Sequence, residues 1–120
     1  MAKTVRELVA EAKADIEEIS IDDLKERIDK KEKLVFLDVR EQDEYMKGHF
    51  KGAIFIPRGL LELMIERQIP DKRAKIICYC AGGIRSAFAA YTLKIMGYND
   101  VVSLTEGFVG WAQAGYPYEK

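Results

Sequence analysis

The sequence predicts an α/β fold in which a central, mostly parallel sheet of about five strands is flanked by helices on both faces. Short apolar runs, typical of strands buried on both faces, alternate along the chain with segments of helical periodicity. Strands joined through helices pair in parallel, because each crossover returns the chain to the same end of the sheet. The 120 residues are enough for one such domain.

The first quarter of the chain predicts a helix, a short strand and a second helix. We interpret residues 1–15 as a helical extension and residues 16–120 as a single domain. Residues 16–19 alternate weakly, as a short strand would, and Ser20 is a typical N-cap for the helix that follows. The extension carries an apolar stripe that either docks on the domain or contacts a second copy. The stripe consists of Val5, Leu8, Val9 and Ala12.

Continuous apolar runs predict the buried strands of the remaining chain. Each run precedes a segment of helical character, and Gly or Pro residues punctuate the boundaries. A helix around Trp111 completes the pattern. The predicted strands cover 34–37, 53–56, 75–79 and 101–104, and the helices between them cover 41–47, 60–67 and 84–96.

Composition and charge exclude several classes of function. The chain has 19 Lys and Arg against 20 Asp and Glu, so its charge favours neither nucleic acid nor an anionic membrane surface. Its apolar runs are too short to span a bilayer. The two cysteines, Cys78 and Cys80, are too close in a strand for an unstrained disulfide, which predicts a reduced, cytoplasmic protein. With a single histidine and no metal-ligand spacing, we expect neither a metal nor another cofactor.

One segment at a predicted strand end has the residues of a nucleophilic site. Cys80 ends a strand, and Gly82 and Gly83 then lead into a helix that begins near Ile84. Glycines let successive N–H groups turn towards one atom, and the helix start and Arg85 add positive charge. All three features favour a thiolate over a thiol. The plainer alternative is an inert core cysteine followed by a turn, but the combination of features favours a functional role.

This region and its neighbours resemble the single-domain rhodanese-like sulfurtransferases. The resemblance extends from about residue 19 to residue 117, and its motifs occur in the family's order. One departure is Glu106, where the family more often has a second glycine before Gly107. The motifs are FLDVRE at 36–41, EY at 44–45, GHFKGA at 48–53, IP at 56–57, CAGGIRS at 80–86, Gly107, Trp111 and AGYP at 114–117.

The resemblance implies a sulfurtransferase that moves a sulfane sulfur from a donor such as thiosulfate to a thiol or cyanide acceptor. Cys80 would carry the sulfur as a persulfide, with Asp38 and Arg40 supporting the loop. Acceptors would include small molecules and a thiol of another protein, and we expect a monomer or a weak dimer. The active-site loop implied by the resemblance consists of Ala81, Gly82, Gly83, Ile84, Arg85 and Ser86.

Three further residues have two interpretations each. Arg58 follows a strand and either helps to bind an anionic donor or is a solvated charge at a helix start. His49 either touches the site or makes a structural hydrogen bond, and the second is favoured because no acid–base step requires it. Cys78 could resolve an oxidised Cys80, but the geometry favours an inert core thiol.

Two other functions compete with sulfur transfer. Rhodanese-like domains also serve as non-catalytic binding or regulatory modules, although the intact Cys80 and Arg85 argue against that here. Cysteine-dependent phosphatases and arsenate reductases also combine a cysteine, an anion-binding loop and an arginine. Those families resemble Cys-x5-Arg, whereas four residues separate Cys80 from Arg85 and Tyr79 stands where phosphatases commonly have histidine.

Overall fold

A sheet of five parallel strands organises residues 2–120, the part of the chain that the computed structural model describes. The strands lie in the order β1-β5-β4-β2-β3, which places β4 at the centre between β5 and β2. The predicted fold class is therefore confirmed. The strands are β1 (Glu17–Ile19), β2 (Val35–Asp38), β3 (Ile54–Phe55), β4 (Ile76–Tyr79) and β5 (Val101–Leu104).

Six α-helices accompany the strands in residues 2–120, and the cap signals of the sequence explain where several begin. The Ser20 hydroxyl accepts a hydrogen bond from the Asp23 amide at 3.1 Å, as its predicted N-cap role requires. None of the described helices is long and apolar enough to cross a membrane. The helices are α1 (Val5–Ala14), α2 (Ile21–Asp29), α3 (Gln42–Lys47), α4 (Leu61–Gln68), α5 (Ile84–Ile95) and α6 (Gly107–Gln113).

The N-terminal helix α1 packs against α5. Ala12 is buried in this contact, whereas Val5 and Leu8 at the other end of the apolar stripe stay exposed. The Lys94 ammonium of α5 donates a hydrogen bond to the carbonyl of Asp15 at 2.7 Å, which fixes the end of α1. The stripe predicted from the sequence therefore docks on the domain through its C-terminal part.

Elements at the edge of the sheet are shorter than the apolar pattern predicts. The run at 53–56 forms only two residues of strand, because β3 pairs with β2 alone and Pro57 follows directly. Beyond it, Arg58–Leu60 form a 3₁₀ turn before α4 begins. The Arg58 amide donates to the carbonyl of Val39 at 3.1 Å, which ties this turn to the end of β2.

Both faces of β4 are buried, and its side chains alternate between two cores. Ile76 and Cys78 point to the core covered by α4 and α5, where Leu61 and Leu93 are fully buried. On the opposite face Ile77 and Tyr79 belong to the core on the side of α2 and α6, which is rich in aromatic rings. That core contains Leu24, Phe50, Phe108 and Trp111. A side chain directly after β4 therefore emerges at the carboxyl edge of the sheet between two packed layers.

Candidate active site

Cys80 lies immediately after β4, at the carboxyl edge of the sheet, and is only 1% exposed. Its Sγ accepts a hydrogen bond from the Gly83 amide at 3.1 Å and one from the Ser86 amide at 3.4 Å. The thiol also lies 3.4 Å from the Ser86 hydroxyl oxygen, to which it donates. Because these groups belong to the start of α5, the sulfur sits where a helix N-terminus stabilises negative charge.

Of the two loop glycines, only Gly83 has a backbone conformation that requires glycine. Gly83 has a φ of +96°, and a Cβ at that position would overlap the carbonyl oxygen of Thr105. Gly82 adopts no positive φ, and open space surrounds the position of a Cβ. The sequence predicts that both glycines adopt conformations closed to other residues, and for Gly82 this prediction is wrong. Gly83 alone allows its amide to approach the sulfur while the loop packs on β5.

The first turn of α6 holds the active-site loop from behind. The Phe108 amide donates to the carbonyl of Cys80 at 2.8 Å, and the Val109 amide donates to that of Ala81 at 3.1 Å. Gly107 has a φ of +69°, and a Cβ there would overlap the Ala81 carbonyl. This role of the first turn of α6 was not predicted from the sequence, although Gly107 belongs to the family motifs.

The Glu106 side chain turns away from this contact. Its carboxylate accepts a hydrogen bond from the Ile21 amide at the start of α2, at 3.0 Å. Glutamate is therefore accommodated where the family more often has glycine, because its side chain caps a neighbouring helix. Glu106 directly precedes Gly107, which contacts the active-site loop.

Arg85 forms a bidentate ion pair with Glu44 of α3, with N–O distances of 2.8 and 3.0 Å. These hydrogen bonds lower the pKa of Glu44 to about 2, against a smaller opposing effect of burial. The sequence predicts that the positive charge of Arg85 favours a thiolate at Cys80. The guanidinium is shared with a carboxylate, and the hydrogen bonds that Sγ accepts come from the amides of Gly83 and Ser86.

Behind the sulfur, two buried serines form a pair. The Ser86 hydroxyl lies 2.8 Å from that of Ser103 on β5, and both residues have no exposed surface. The sequence analysis included Ser86 in the loop but did not identify Ser103. A lone serine inside an apolar strand carries no local signal of a role in the site.

Asp38 and Arg40, at the end of β2, form a second ion pair, which is almost completely buried. The guanidinium donates to the two carboxylate oxygens at 3.0 and 2.6 Å and to the carbonyl of Gly48 at 2.7 Å. Burial alone would lower the pKa of Arg40, but the hydrogen bonds and charge of Asp38 outweigh it and raise that pKa. Arg40 also lies 4.4 Å from the ring of Phe108, whose amide holds Cys80. The pair thus connects to the loop through Phe108.

The three residues with two interpretations lie as follows. The Arg58 guanidinium bonds to Glu62 at 3.0 Å and to Thr92 at 3.1 Å, so its hydrogen bonds go to α4 and α5. The His49 ring lies 3.0 Å from the carbonyl of Tyr45, a structural contact as favoured. Cys78 is fully buried, and burial raises the pKa of its thiol well above the usual range, as befits a core thiol.

These features define a class of protein: a parallel α/β domain that holds a single thiol at the start of a helix. Comparison with known families makes the class specific, because the Rhodanese-like domain matches residues 20–114. The chain belongs to the rhodanese-like family. The match begins at the N-cap of α2 and leaves α1 outside it.

Individual relatives agree with this assignment. The chain is 36% identical over 102 residues to a putative sulfur carrier protein, YrkF, of Bacillus subtilis strain 168; the match covers 85% of this chain and 54% of the relative. The chain thus spans about half the length of that protein.

Solved structures of two further proteins are similar in fold. A protein of unknown function from Rhodopseudomonas palustris CGA009, described as a possible tyrosine phosphatase, aligns with a TM-score of 0.86 and 32% identity over 99% of this chain and 96% of its own. The thiosulfate sulfurtransferase of Pseudomonas aeruginosa aligns with a TM-score of 0.80 and 32% identity over 93% of this chain and 21% of its own. The family therefore includes sulfur carriers and sulfurtransferases.

Proposed function

We propose that this protein is a sulfurtransferase that takes a sulfane sulfur from a donor such as thiosulfate and holds it on Cys80 as a persulfide. One observation carries the proposal: two amides from the start of α5 donate hydrogen bonds to Sγ of a cysteine at the sheet's carboxyl edge. Such preorganised donors stabilise an anionic sulfur. The sulfur carrier and sulfurtransferase relatives support the same chemistry.

The loading step is a nucleophilic displacement at sulfur. The Cys80 thiolate attacks the outer sulfur of thiosulfate and forms a new S–S bond. The bond between that sulfur and the sulfonate group breaks, and sulfite leaves with the electron pair. The negative charge then resides on the outer sulfur of Cys80, close to the loop amides. In this proposal Cys80 reacts as its thiolate, so the step needs no general base.

The second step returns the enzyme to its starting state. A cyanide ion or an acceptor thiolate attacks the outer sulfur, the persulfide S–S bond breaks, and its electron pair returns to Sγ of Cys80. The products are thiocyanate or a persulfide of the acceptor. Since the donor leaves before the acceptor reacts, the kinetics should be ping-pong. The exposed loop residues Gly82 and Ile84 are neutral and leave room for a small thiol or a thiol of a partner protein.

The remaining candidates have supporting roles in this proposal. Gly83 and Ser86 supply hydrogen bonds to the sulfur, and Ala81 is the point at which Val109 holds the loop. The two ion pairs, Asp38–Arg40 and Glu44–Arg85, fix the neighbouring segments. Arg58 has no part in either step, because Glu62 and Thr92 engage its guanidinium.

The location we propose is the cytoplasm. Both cysteines are free and buried, as expected of a protein from a reducing compartment. Fractionation of cells that produce the chain, with detection by antibody, tests this location.

The phosphatase description of one structural neighbour sets the alternative to be tested. Four residues separate Cys80 from Arg85, and the Arg85 guanidinium is engaged by Glu44 rather than free for a phosphate group. We expect thiocyanate formation from thiosulfate and cyanide, and negligible hydrolysis of an aryl phosphate. Phosphatase turnover that exceeds sulfur transfer and disappears in Cys80→Ser would overturn the proposal. Absence of both activities would favour a binding module.

A further inference from the structure

The structure points to Ser103 as a positioning residue for the sulfur, an inference that rests on the proposed function. Ser103 lies on β5, and its hydroxyl is 2.8 Å from that of Ser86, which in turn lies 3.4 Å from Sγ of Cys80. We infer that Ser103 orients the Ser86 hydroxyl proton towards an anionic sulfur. Ser103 does not touch the sulfur itself and acts only through Ser86.

The count of protons in this chain of three groups supports the inference. Each serine hydroxyl has one proton to donate and can accept two hydrogen bonds. When the sulfur is anionic, Ser103 donates to Ser86 and Ser86 donates to the sulfur, so both protons are used. When Cys80 is a thiol that donates to Ser86, the order reverses, and Ser103 has no acceptor for its proton among the contacts of residues 2–120. A buried donor without an acceptor is unfavourable, so the hydrogen bonds among Ser103, Ser86 and Cys80 favour the anionic sulfur.

Hydrogen bonds in series also strengthen one another. A hydroxyl that accepts a bond from Ser103 becomes a better donor through its own proton. The O–O distance of 2.8 Å is that of a well-formed hydrogen bond between hydroxyls, so Ser103 is in position to polarise Ser86.

A purely structural reason for serine at this position is weak. The neighbours of Ser103 along β5, Val102 and Leu104, are buried apolar residues, and the strand is central enough to pair on both sides. An interior strand position favours an apolar or β-branched side chain over a serine hydroxyl. Here the only side-chain hydrogen bond of Ser103 within the described residues leads to the active-site loop.

Other groups also act on the sulfur and must be held constant in a test. Arg85 of α5 and Glu44 of α3 form an ion pair on the loop side. On the sheet side the fully buried thiol of Cys78 lies two residues before Cys80, and the Asp38–Arg40 pair lies at the end of β2. Substitutions at Ser103 leave all of these groups in place.

The test compares two variants of the same shape. Ser103→Thr keeps the hydroxyl and adds a methyl group, whereas Ser103→Val has the same shape without the hydroxyl. The rate of Cys80 alkylation by iodoacetamide is measured at a series of pH values on both sides of neutrality. The alkylated residue is identified by peptide mass. Loss of one buried hydrogen bond predicts a rate in Ser103→Val about threefold to tenfold below that of Ser103→Thr at neutral pH. The pH profile of the valine variant should move to higher pH.

Equal rates and superimposable profiles for the two variants would overturn the inference. If the valine variant fails to fold, Ser103→Ala against the unmodified chain gives the same comparison, because alanine fits wherever serine does. Alkylation requires no sulfur donor, so it tests Ser103 separately from the proposed function. Failure of the unmodified chain to accept sulfur from thiosulfate would reject the proposed function, whereas equal alkylation would reject only the role of Ser103.

Discussion

Two ion pairs of similar chemistry lie at the proposed active-site loop, and they differ mainly in exposure. In Asp38–Arg40 the side chains are 0% and 5% exposed, and the arginine is further held by a carbonyl and two aromatic rings. In Glu44–Arg85 they are 30% and 37% exposed, and the arginine belongs to the loop itself. The buried pair can act only on the packing of the folded chain. The exposed pair is accessible to solvent and to any molecule that binds the loop.

The difference teaches that two arginines in family motifs need not share a role. A buried charge is tolerable only while its partner remains, so Arg40 and Asp38 are mutually dependent. An exposed pair in water contributes little to stability, and its effect is felt mainly where it orients a loop. We therefore assign the Asp38–Arg40 pair chiefly to stability and the Glu44–Arg85 pair chiefly to the site.

The same substitution at both arginines gives the largest expected effect. Arg40→Met leaves Asp38 charged, unpaired and without exposed surface, which should lower the free energy of unfolding by about 3–5 kcal/mol. Arg85→Met leaves a partly solvated glutamate and should lower it by only about 0–1 kcal/mol. Urea unfolding of both variants measures the difference. Equal losses at the two positions would contradict the comparison.

A smaller effect is expected where backbones rather than charges meet. Gly107→Ala forces a Cβ against the Ala81 carbonyl at a φ of +69°, so it should cost about 1–3 kcal/mol and displace the loop. Gly82→Ala is the matched control, because its Cβ enters open space at an ordinary φ. The unfolding temperature and the rate of sulfur loading should both fall in Gly107→Ala and change little in Gly82→Ala. The reverse order would show that the start of α6 does not hold the active-site loop.

The smallest effect concerns the titration of Glu44. Its folded pKa of about 2 lies below the ordinary 4.5, so the pair's stabilisation is present above pH 4.5 and is lost as pH falls towards about 2. The stability difference between the unmodified chain and Arg85→Met, about 0–1 kcal/mol at neutral pH, should therefore disappear across this window. NMR titration of the Glu44 carboxyl should give a higher midpoint in Arg85→Met than in the unmodified chain. An ordinary midpoint in the unmodified chain would contradict the ion pair.

Much of the fold and the central part of the site could be predicted from the sequence, because the signals are local. Apolar runs mark strands such as β2 and β4, Ser20 caps α2, and the residues from Cys80 to Ser86 are contiguous. The predicted β3 was too long because an edge strand has one partner, a fact that hydrophobicity along the chain does not encode.

The features that were missed depend on contacts between distant parts of the chain. Glu44 and Arg85 are 41 residues apart, and Ser86 and Ser103 are 17 residues apart. Nothing in the local pattern of either segment indicates its partner. The different needs of Gly82 and Gly83 likewise depend on Thr105, which packs against one of them only. Long-range packing therefore decides which loop residues are constrained.

The central claim is that the transferred sulfur is carried by Cys80. Intact mass spectrometry after incubation with thiosulfate tests it most directly, with Cys80→Ser and Cys78→Ser as matched variants. The account predicts a gain of one sulfur atom in the unmodified chain and in Cys78→Ser, a gain that an added thiol removes, and no gain in Cys80→Ser. Sulfur loading of Cys80→Ser together with its loss in Cys78→Ser would contradict the account.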